Sequence, residues 1–549
     1  MSRRRTLFLL VLSLFWGTAI YMALPVLSSH VIEGKDVKVT KDNSNKDGGA
    51  PNPSFDSQNR QQNETTVAIS PVDPDIVAIG ANDYRMVPAF ADAWLGFYVS
   101  DDGGATWFNT MVPGFPTDTS PNGLASPLLN LDGSGDPVVR FDGGGNLYVA
   151  GLASNRDFQP DERPKDTVVY VARYDYTPGT PGGASTPNSA ADPPNFTYQF
   201  TTIVDRGAVG FAVPGPFGFA GIFDDKNWMT VDTHPGSPCY GNVYYTYTKF
   251  TGLAGEFPIV FSQSTDGGIS FSQPQPISQK GEDGTVATQG SNIAVATDGT
   301  VYVSYRTFAT NSDPTFRLQV VKSTDCGVHF AKPATAATFN PMPRQAAGLS
   351  FRTPTESFLA VDDTNPNTLY VTYMAMAGSP ANADIFVVRS TDGGFTWGVP
   401  VKVNQDTTKK HQFWPAIAVS NGTVHVAWYD FRNSPSPTDP AAGNNALDVF
   451  YASATPMGYP TFSHNVRVTD KSHDPNCRMF SGGTVGFHGD YIELAARWDA
   501  AESEHIVHVA WADNRNVNPC DVDPAPGPDS NNTGNRNQNV YADTLVVSP

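Results

Sequence analysis

The sequence predicts an all-β chain assembled from repeats of one small unit. One phrase, Ser-x-Asp-x-Gly-x-(Thr/Ser/His)-(Trp/Phe), occurs four times, at residues 100–107, 264–271, 323–330 and 390–397. Each copy follows a run of strand-forming residues, and a second repeat of paired apolar strands runs beneath the first. A unit of this size cannot bury its own apolar face, so the repeats must pack radially or stack on their neighbours.

The repeated phrase predicts a tight hairpin turn. An Asp before Gly folds its carboxylate back onto the turn amides, and Gly supplies the positive φ that the turn needs. The closing aromatic residue packs beneath the turn. Each copy should therefore join two neighbouring strands.

The four copies resemble the Asp-box, or BNR, repeats of the sialidase-like β-propeller superfamily. The resemblance covers nearly the whole chain beyond residue 63 and implies a β-propeller that acts on glycans. In that family the box lies on the face away from the active site and also occurs in propellers without glycosidase activity. It therefore predicts the fold more strongly than the function.

The second repeat gives the number of units. It consists of an apolar strand, a turn with Asp, Asn or Gly, and a strand such as Val-x-Val-x-Trp. The copies begin near Thr66, Pro137, Trp228, Ile293, Phe358, Ala416 and Ile492. Each copy is followed by a third strand, and fourth strands are visible at 401–404 and 466–469. Because four evenly spaced strands make a propeller blade, residues 64–549 are predicted to form a seven-bladed β-propeller.

The seventh repeat lacks a fourth strand, since its third strand at 540–541 is soon followed by Pro549. Residues 37–40, Val-Lys-Val-Thr, carry the missing pattern. We expect this N-terminal strand to complete the last four-stranded blade and close the ring, which removes two open sheet edges.

The N-terminal segment is typical of an exported protein. Residues 2–5 are Ser-Arg-Arg-Arg and residues 7–27 are almost wholly apolar, so 1–29 is either a signal peptide or an N-terminal membrane anchor. Residues 30–63 are predicted to be a stalk that includes the closing strand. We expect an extracytoplasmic protein, secreted or anchored at the cell surface, that touches a membrane only through this segment.

The composition argues against nucleic acid as a partner. The formal net charge is −19, from 35 Lys and Arg against 54 Asp and Glu. No basic stripe is present that could follow a phosphate backbone.

The four cysteines fall into two predicted pairs. Cys239 in the third repeat and Cys326 in the fourth lie in turns of the same face, and Cys477 and Cys520 lie in loops of the opposite face. Two disulfides fit an exported protein, with four free thiols as the alternative.

Candidate site residues lie just before each innermost strand, where they would line the channel mouth. The aligned positions are Glu64, Asp136, Lys226, Gly290, Glu356, Trp414 and Asp490. The four acids are the candidate catalytic residues, divided into a general acid and a base or nucleophile for glycoside hydrolysis. Alternatively they bind a cation such as Ca²⁺, or cap strands and form structural ion pairs. Trp414 and Tyr491 are the candidate sugar-stacking residues.

Three arginines form a candidate substrate clamp. Arg85, Arg432 and Arg515 each end a second strand, two residues after an Asp. The resemblance implies a triad that holds a substrate carboxylate, as in sialidases. The alternative is a local ion pair between each Arg and its own Asp.

The sialidase catalytic motif is not preserved. Family members open an inner strand with Phe/Tyr-Arg-Ile-Pro, whereas residues 412–415 here have Phe413 where the Arg should stand. Arg352 lies in a closer match at 351–354, but its spacing to the following strand leads us to interpret it as out of register.

Two functional hypotheses therefore remain. The chain is either a divergent glycoside hydrolase or a non-catalytic propeller that binds glycan or protein. No cofactor is expected, because the ten His show no metal-binding spacing and no Gly-rich phosphate loop opens a helix. The Asp-rich loops at 132–136 and 521–529 are interpreted as turns rather than Ca²⁺ sites.

Overall fold

The computed structural model describes residues 30–41, 61–84, 93–155, 165–185, 189–212, 219–252, 255–278, 287–309, 315–379, 381–455, 461–480, 485–517 and 537–548. Within these ranges the regular structure is 31 strands and one helix of five residues. The prediction of an all-β chain is confirmed.

The strands form antiparallel four-stranded units in chain order. Two short strands come first, β1 (Val31–Ile32) and β2 (Val37–Lys38). Unit 1 contains β3 (Gln62–Ile69), β4 (Val77–Asp83), β5 (Trp94–Ser100) and β6 (Phe108–Met111), followed by α1 (Pro121–Ala125). Because β3 begins at Gln62, the predicted boundary between residues 63 and 64 falls inside a strand.

Units 2 and 3 are continuous. Unit 2 contains β7 (Gly133–Phe141), β8 (Leu147–Ser154), β9 (Lys165–Tyr176) and β10 (Phe196–Ala212). Unit 3 contains β11 (Phe219–Val231), β12 (Val243–Thr251), β13 (Ile259–Ser264) and β14 (Gln275–Pro276). Pairing of β10 with β11 joins the two units into one eight-stranded sheet.

Units 4, 5 and 6 are separate four-stranded sheets. Unit 4 contains β15 (Thr288–Val295), β16 (Val301–Thr307), β17 (Phe316–Ser323) and β18 (Ala334–Phe339). Unit 5 contains β19 (Ser357–Asp362), β20 (Asn365–Ala377), β21 (Asn382–Ser390) and β22 (Val401–Lys402). Unit 6 contains β23 (Gln412–Ser420), β24 (Thr423–Asp430), β25 (Asp448–Ala454) and β26 (Val466–Arg467).

Unit 7 combines both ends of the described chain. A small hairpin, β27 (Arg478–Phe480) and β28 (Val485–Gly486), precedes β29 (Glu493–Asp499), β30 (Glu504–Asp513) and β31 (Asn539–Val547). Both β1 and β2 pair with β31, and Val37 lies opposite Ala542. The expected pairing of residues 37–40 with 540–541 is therefore present, and Val39 N–H extends it by donating to Val540 O at 2.9 Å.

The first strands of the units contact one another in a cyclic order. Contacts run from β3 to β7, β11, β15, β19, β23 and β29, and β29 contacts β3 again. Aromatic side chains fill much of the core and some pack between units, as Trp228 of unit 3 does against Phe358 of unit 5. Trp228, Trp414, Trp428 and Trp511 are among the largest fully buried residues.

The four repeated turns share one hydrogen-bond pattern. In the turn after β21, Ser390 Oγ donates to Asp392 Oδ1 at 2.8 Å, and Gly394 N–H donates to Ser390 Oγ at 2.9 Å. Thr396 N–H donates to the same carboxylate at 2.9 Å. The glycines have positive φ, as expected, including 70° at Gly393. This geometry matches the turn mechanics predicted from the sequence.

One predicted disulfide is present. Cys239 and Cys326 are bonded, with their Cα atoms 5.6 Å apart, and they link units 3 and 4. The other predicted pair, Cys477 with Cys520, stays a prediction because Cys520 lies outside the described residues.

The described ranges contain no helix with the length and apolar character required to cross a bilayer. The N-terminal segment 1–29, where the signal peptide or anchor was predicted, lies outside those ranges.

Candidate functional site

A cavity of about 510 Å³ lies where the first strands begin. Side chains from units 2 to 5 and unit 7 reach it. Its lining consists of Asp136, Asp225, Lys226, Phe250, Phe257, Gln289, Arg306, Phe308, Phe316, Pro341, Met342, Pro343, Arg344, Arg352, Pro354, Thr355, Glu356 and Asp490. Three of the four predicted catalytic acids, Asp136, Glu356 and Asp490, are in this set.

A repeated β-bulge places the residues at the cavity end of five first strands. In β3, β7, β11, β15 and β23, two residues stand opposite one on the second strand. The first residue of each bulge has positive φ: Glu64 (57°), Asp136 (53°), Lys226 (53°), Gly290 (71°) and Trp414 (47°). Bulges re-aim side chains and are frequent beside active sites.

The bulge conformation is strained in four of these strands. A left-handed backbone costs a non-glycine residue about 1–2 kcal/mol. Glu64, Asp136, Lys226 and Trp414 all adopt it at equivalent positions. Strain of this kind persists where the surrounding structure requires the side chain in that place. Units 5 and 7 lack the bulge; Glu356 directly precedes β19, and Asp490 lies in the loop before β29.

Glu64 lies beneath the cavity rather than in its lining. Its side chain is buried, and Asn82 Nδ2 donates to Glu64 Oε2 at 2.8 Å. Burial, followed by the charges of Asp136 and Asp490, raises the pKa of Glu64 well above its usual value. Burial and the two neighbouring acids therefore favour the protonated form of Glu64.

Asp225 is a cavity residue that the sequence analysis missed. It precedes Lys226, the residue that the strand alignment selected, and its side chain lines the cavity. Burial and then the charge of Asp136 raise the pKa of Asp225 to about 7. The available signal was the acid pair Asp224-Asp225 directly before the aligned position.

Arg352, which was interpreted as out of register with the motif strand, does lie in a loop, yet its side chain reaches the cavity. Its Nε donates to Asp490 Oδ1 at 2.7 Å and its Nη2 to Asp490 Oδ2 at 2.5 Å. Arg352 lies in the loop between β18 and β19, so strand register does not decide where its side chain goes. Asn476 anchors this loop by accepting a hydrogen bond from Ser350 N at 2.8 Å.

Two further cations stand beside the acids. Arg306 Nη2 lies 3.4 Å from Glu356 Oε1 and donates to Gln289 Oε1 at 2.9 Å. Burial raises the pKa of Glu356, and the Arg306 charge opposes that rise. Lys226 Nζ lies 3.8 Å from the centre of the Tyr491 ring. The cavity therefore contains cations and carboxyl groups in close contact.

Trp414 and Tyr491 do not provide stacking faces. Trp414 is fully buried, and its Nε1 donates to Pro354 O at 3.0 Å. Tyr491 is 1% exposed and lies beneath Lys226. Burial, with the neighbouring acids, raises the pKa of the Tyr491 phenol well above its usual value. Both rings therefore support the cavity from below, because the bulge and the adjacent loop cover them.

The predicted arginine clamp is not assembled from the described residues. Arg432 pairs with Asp430 at 2.6 Å, and Arg515 pairs with Asp513 at 2.7 Å and with Asp36. Neither side chain lines the cavity. These contacts favour the alternative of local ion pairs, and Arg85 lies outside the described residues.

No group of three or more His, Cys, Asp or Glu side chains in the described ranges has a geometry that could hold a metal ion. The loop at 521–529 lies outside those ranges. Calcium binding stays an untested expectation.

Comparison with known proteins gives a weak structural likeness and no sequence relative. No family model and no curated protein matches the chain. Similar solved structures include an α-L-arabinofuranosidase of Fusarium graminearum, 12% identical, covering 93% of this chain and 97% of that one with a TM-score of 0.41. A sialidase of Streptococcus pneumoniae is 11% identical, covering 90% and 69%, with a TM-score of 0.38.

A protein of unknown function from Dyadobacter fermentans is also similar, at 12% identity, with 77% and 98% coverage and a TM-score of 0.41. TM-scores this low carry no argument for fold or activity. The strand pairing and the contacts described above are the evidence for the architecture.

Proposed function

We propose that the seven units are the blades of a sialidase-like β-propeller and that its cavity hydrolyses a glycosidic bond. The cyclic contacts of the first strands and the pairing of β2 with β31 support the ring. The repeated turns support the resemblance to Asp-box propellers. Glycan, as free polysaccharide or glycoprotein, is the proposed partner.

The observation that carries the catalytic proposal is the contrast between Asp225 and Asp490. The pKa of Asp225 is about 7, so its carboxyl group can hold a proton near neutral pH. Asp490 accepts two hydrogen bonds from Arg352, which fixes an ion-paired carboxylate in the same cavity. Glycoside hydrolysis uses one carboxylic acid and one carboxylate in this way.

The roles follow from these environments. Asp225 donates its proton to the glycosidic oxygen as the bond to the anomeric carbon breaks, and the leaving group departs as an alcohol. Asp490 either attacks the anomeric carbon or removes a proton from the attacking water. Asp136 is a positioning residue, because its Oδ2 accepts a hydrogen bond from Lys226 N–H at 2.9 Å beside Asp225. Glu64 is a positioning residue through Asn82, which donates to Glu64 and accepts from Asp136 N–H at 2.9 Å.

The proposed mechanism differs from that of a sialidase. A tyrosine nucleophile needs an accessible phenol that can lose its proton, whereas Tyr491 is buried with a raised pKa. Phe413 also stands where the sialidase motif has Arg. We therefore propose a divergent hydrolase that does not act on sialosides.

We further propose that the protein is exported and acts outside the cytoplasm. The bonded Cys239–Cys326 pair supports an oxidising compartment. The apolar stretch at 7–27 is the proposed export signal or anchor.

A glycoside screen tests the hydrolase proposal. The purified protein is assayed against aryl glycosides of neutral sugars and sialosides, alongside Asp490→Asn and Asp225→Asn. We expect turnover of a neutral glycoside, and a loss of 10²-fold or more in kcat/KM in each variant, roughly the contribution of a positioned acid or base. Asp225→Asn should also remove the decline in kcat/KM above about pH 7.

Asp101→Asn is the matched control, because Asp101 is an exposed acid in a repeated turn outside the cavity. It should keep full turnover.

The second candidate function is a non-catalytic propeller, supported by the buried positions of Trp414 and Tyr491. Glycan-array binding without turnover of any glycoside would establish that alternative.

A further inference from the structure

The two sides of the cavity have different chemistry. The charged side is built by Asp136, Asp225, Lys226, Arg352 and Asp490. The aromatic side is built by the ends of the second and third strands of units 3 and 4. Its members are Phe250 in β12, Phe257 before β13, Phe308 after β16 and Phe316 in β17. We call these four residues the phenylalanine wall.

The phenylalanine wall is a continuous array of rings. Phe250 and Phe257 stack with centroids 5.4 Å apart and 14° between their planes. Phe257 meets Phe308 edge to face at 5.5 Å, and Phe308 meets Phe316 at 6.4 Å. Each ring packs on its neighbour, so the wall keeps its shape when the cavity is filled.

All four rings are partly exposed. Met342 and the prolines Pro341 and Pro343 border the same cavity and extend its apolar surface. Arg306 lies with its guanidinium carbon 4.7 Å from the Phe308 ring centre, where the apolar wall meets the acids. No Tyr or Trp occurs among the cavity-lining residues. The wall therefore offers flat apolar faces without the hydroxyl or indole N–H that would bind sugar hydroxyl groups.

We propose that the phenylalanine wall is a second subsite, which takes a planar apolar group attached to the sugar. The ligand class is a glycoside with an aromatic aglycone, bound with the ring on the wall and the sugar at the acids. Only the placement of the sugar at the acids rests on the proposed function; binding of the aromatic group to the wall does not. Continuity of the wall with Glu356 and Arg306 in one cavity places the two subsites side by side.

Binding of an aromatic probe tests the wall without requiring turnover. The full chain is titrated by calorimetry with 4-methylumbelliferone, a planar aglycone without sugar. We expect saturable binding that weakens about fivefold in Phe308→Ala, within the range of a single aromatic contact. Phe308→Trp should keep the binding. Phe395→Ala is the matched control, because Phe395 is 70% exposed and lies outside the cavity.

Absence of saturable binding, or equal binding by Phe308→Ala and the parent, would overturn the inference. Thermal melting of Phe308→Leu, which keeps an apolar side chain but has no ring, checks that the fold survives; this variant should also weaken binding. Asp490→Asn separates the two proposals, since it should lose glycoside turnover and still bind 4-methylumbelliferone. Probe binding without turnover by the parent would reject the hydrolase and retain the subsite.

Discussion

At the scale of single residues, environment separates groups that are chemically alike. Asp225 and Asp490 are both aspartates at one cavity, yet one has a pKa of about 7 and the other is held by Arg352. Glu64 is buried beside two other acids, and burial raises its pKa well above the usual value. The division of these groups into acid and carboxylate depends on burial and neighbours rather than on residue type.

The raised pKa of Asp225 predicts a pH-dependent stability. Burial raises the pKa of Asp225 from the ordinary 3.8 to about 7, so the folded protein binds this proton more tightly than the unfolded chain does. The resulting stabilisation is complete below pH 3.8 and is lost as pH rises through about 7. Asp225→Asn cannot ionise, so we expect it to melt at the parent's temperature near pH 4 and several degrees higher at pH 8.

Melting curves of both proteins from pH 4 to pH 8 check this prediction. The same substitution at exposed Asp101 should give a difference that does not grow with pH. A constant difference between Asp225→Asn and the parent would show that Asp225 is not buried as an acid.

At the scale of the element, a β-bulge near the start of five first strands shapes the end of the units where the cavity lies. One extra residue lies at the cavity end of each of five strands, and in two of them, at Asp136 and Lys226, its side chain lines the cavity. Four of the five residues accept a left-handed backbone without being glycine. The second strand can pair on both sides of the bulge, so the sheet tolerates the extra residue.

Substitution of Gly290, the one glycine among the five bulge residues, tests how much space the bulge requires. Gly290 has φ of 71°, and a Cβ at this position would meet Glu356 Oε2 inside van der Waals contact. We expect Gly290→Ala to lower the free energy of unfolding by more than the roughly 1–2 kcal/mol cost of a left-handed alanine. Displacement of Glu356 should also reduce activity.

Gly241→Ala is the control, because Gly241 has φ of 84° and open space around its Cβ position. Urea unfolding gives the loss in free energy of unfolding for each variant. The difference between the two losses is the cost of the contact with Glu356. Equal losses would mean that the carboxylate moves aside without cost.

At the scale of the whole molecule, two short strands from the N-terminal part of the described chain complete unit 7, the last unit in the chain. Val37 and Lys38 pair with β31, Val39 is buried, and Asp36 forms an ion pair with Arg515 at 2.5 Å. Without these residues the edge of unit 7 would expose unpaired backbone groups.

Removal of this strand should destabilise the protein. We expect a chain of residues 42–549 to melt at a lower temperature than a chain of residues 30–549, and to aggregate on heating, because the β31 edge is left open. The longer chain is the control for loss of residues 1–29. Identical melting temperatures would show that the pairing with β31 adds nothing to stability.

The alignment of the repeats predicted the strand that pairs with β31 and the Cys239–Cys326 pair, the latter beside an alternative of four free thiols. Local sequence patterns predicted the strands and the repeated turns. These features depend on alternation along a strand and on turn chemistry within a few residues, which a sequence states directly. The alignment of first strands also brought Asp136, Glu356 and Asp490 to the correct end of the units.

Tertiary packing determines which of those side chains face the cavity and whether each carboxyl group favours its protonated form. Arg352 arrives on a loop whose path depends on packing against Asn476, and Asp225 takes its pKa from burial beside Asp136. Trp414 and Tyr491 are buried by contacts that form only in the folded protein. Loop paths, burial and charge contacts arise between residues far apart in the chain, so no local pattern records them.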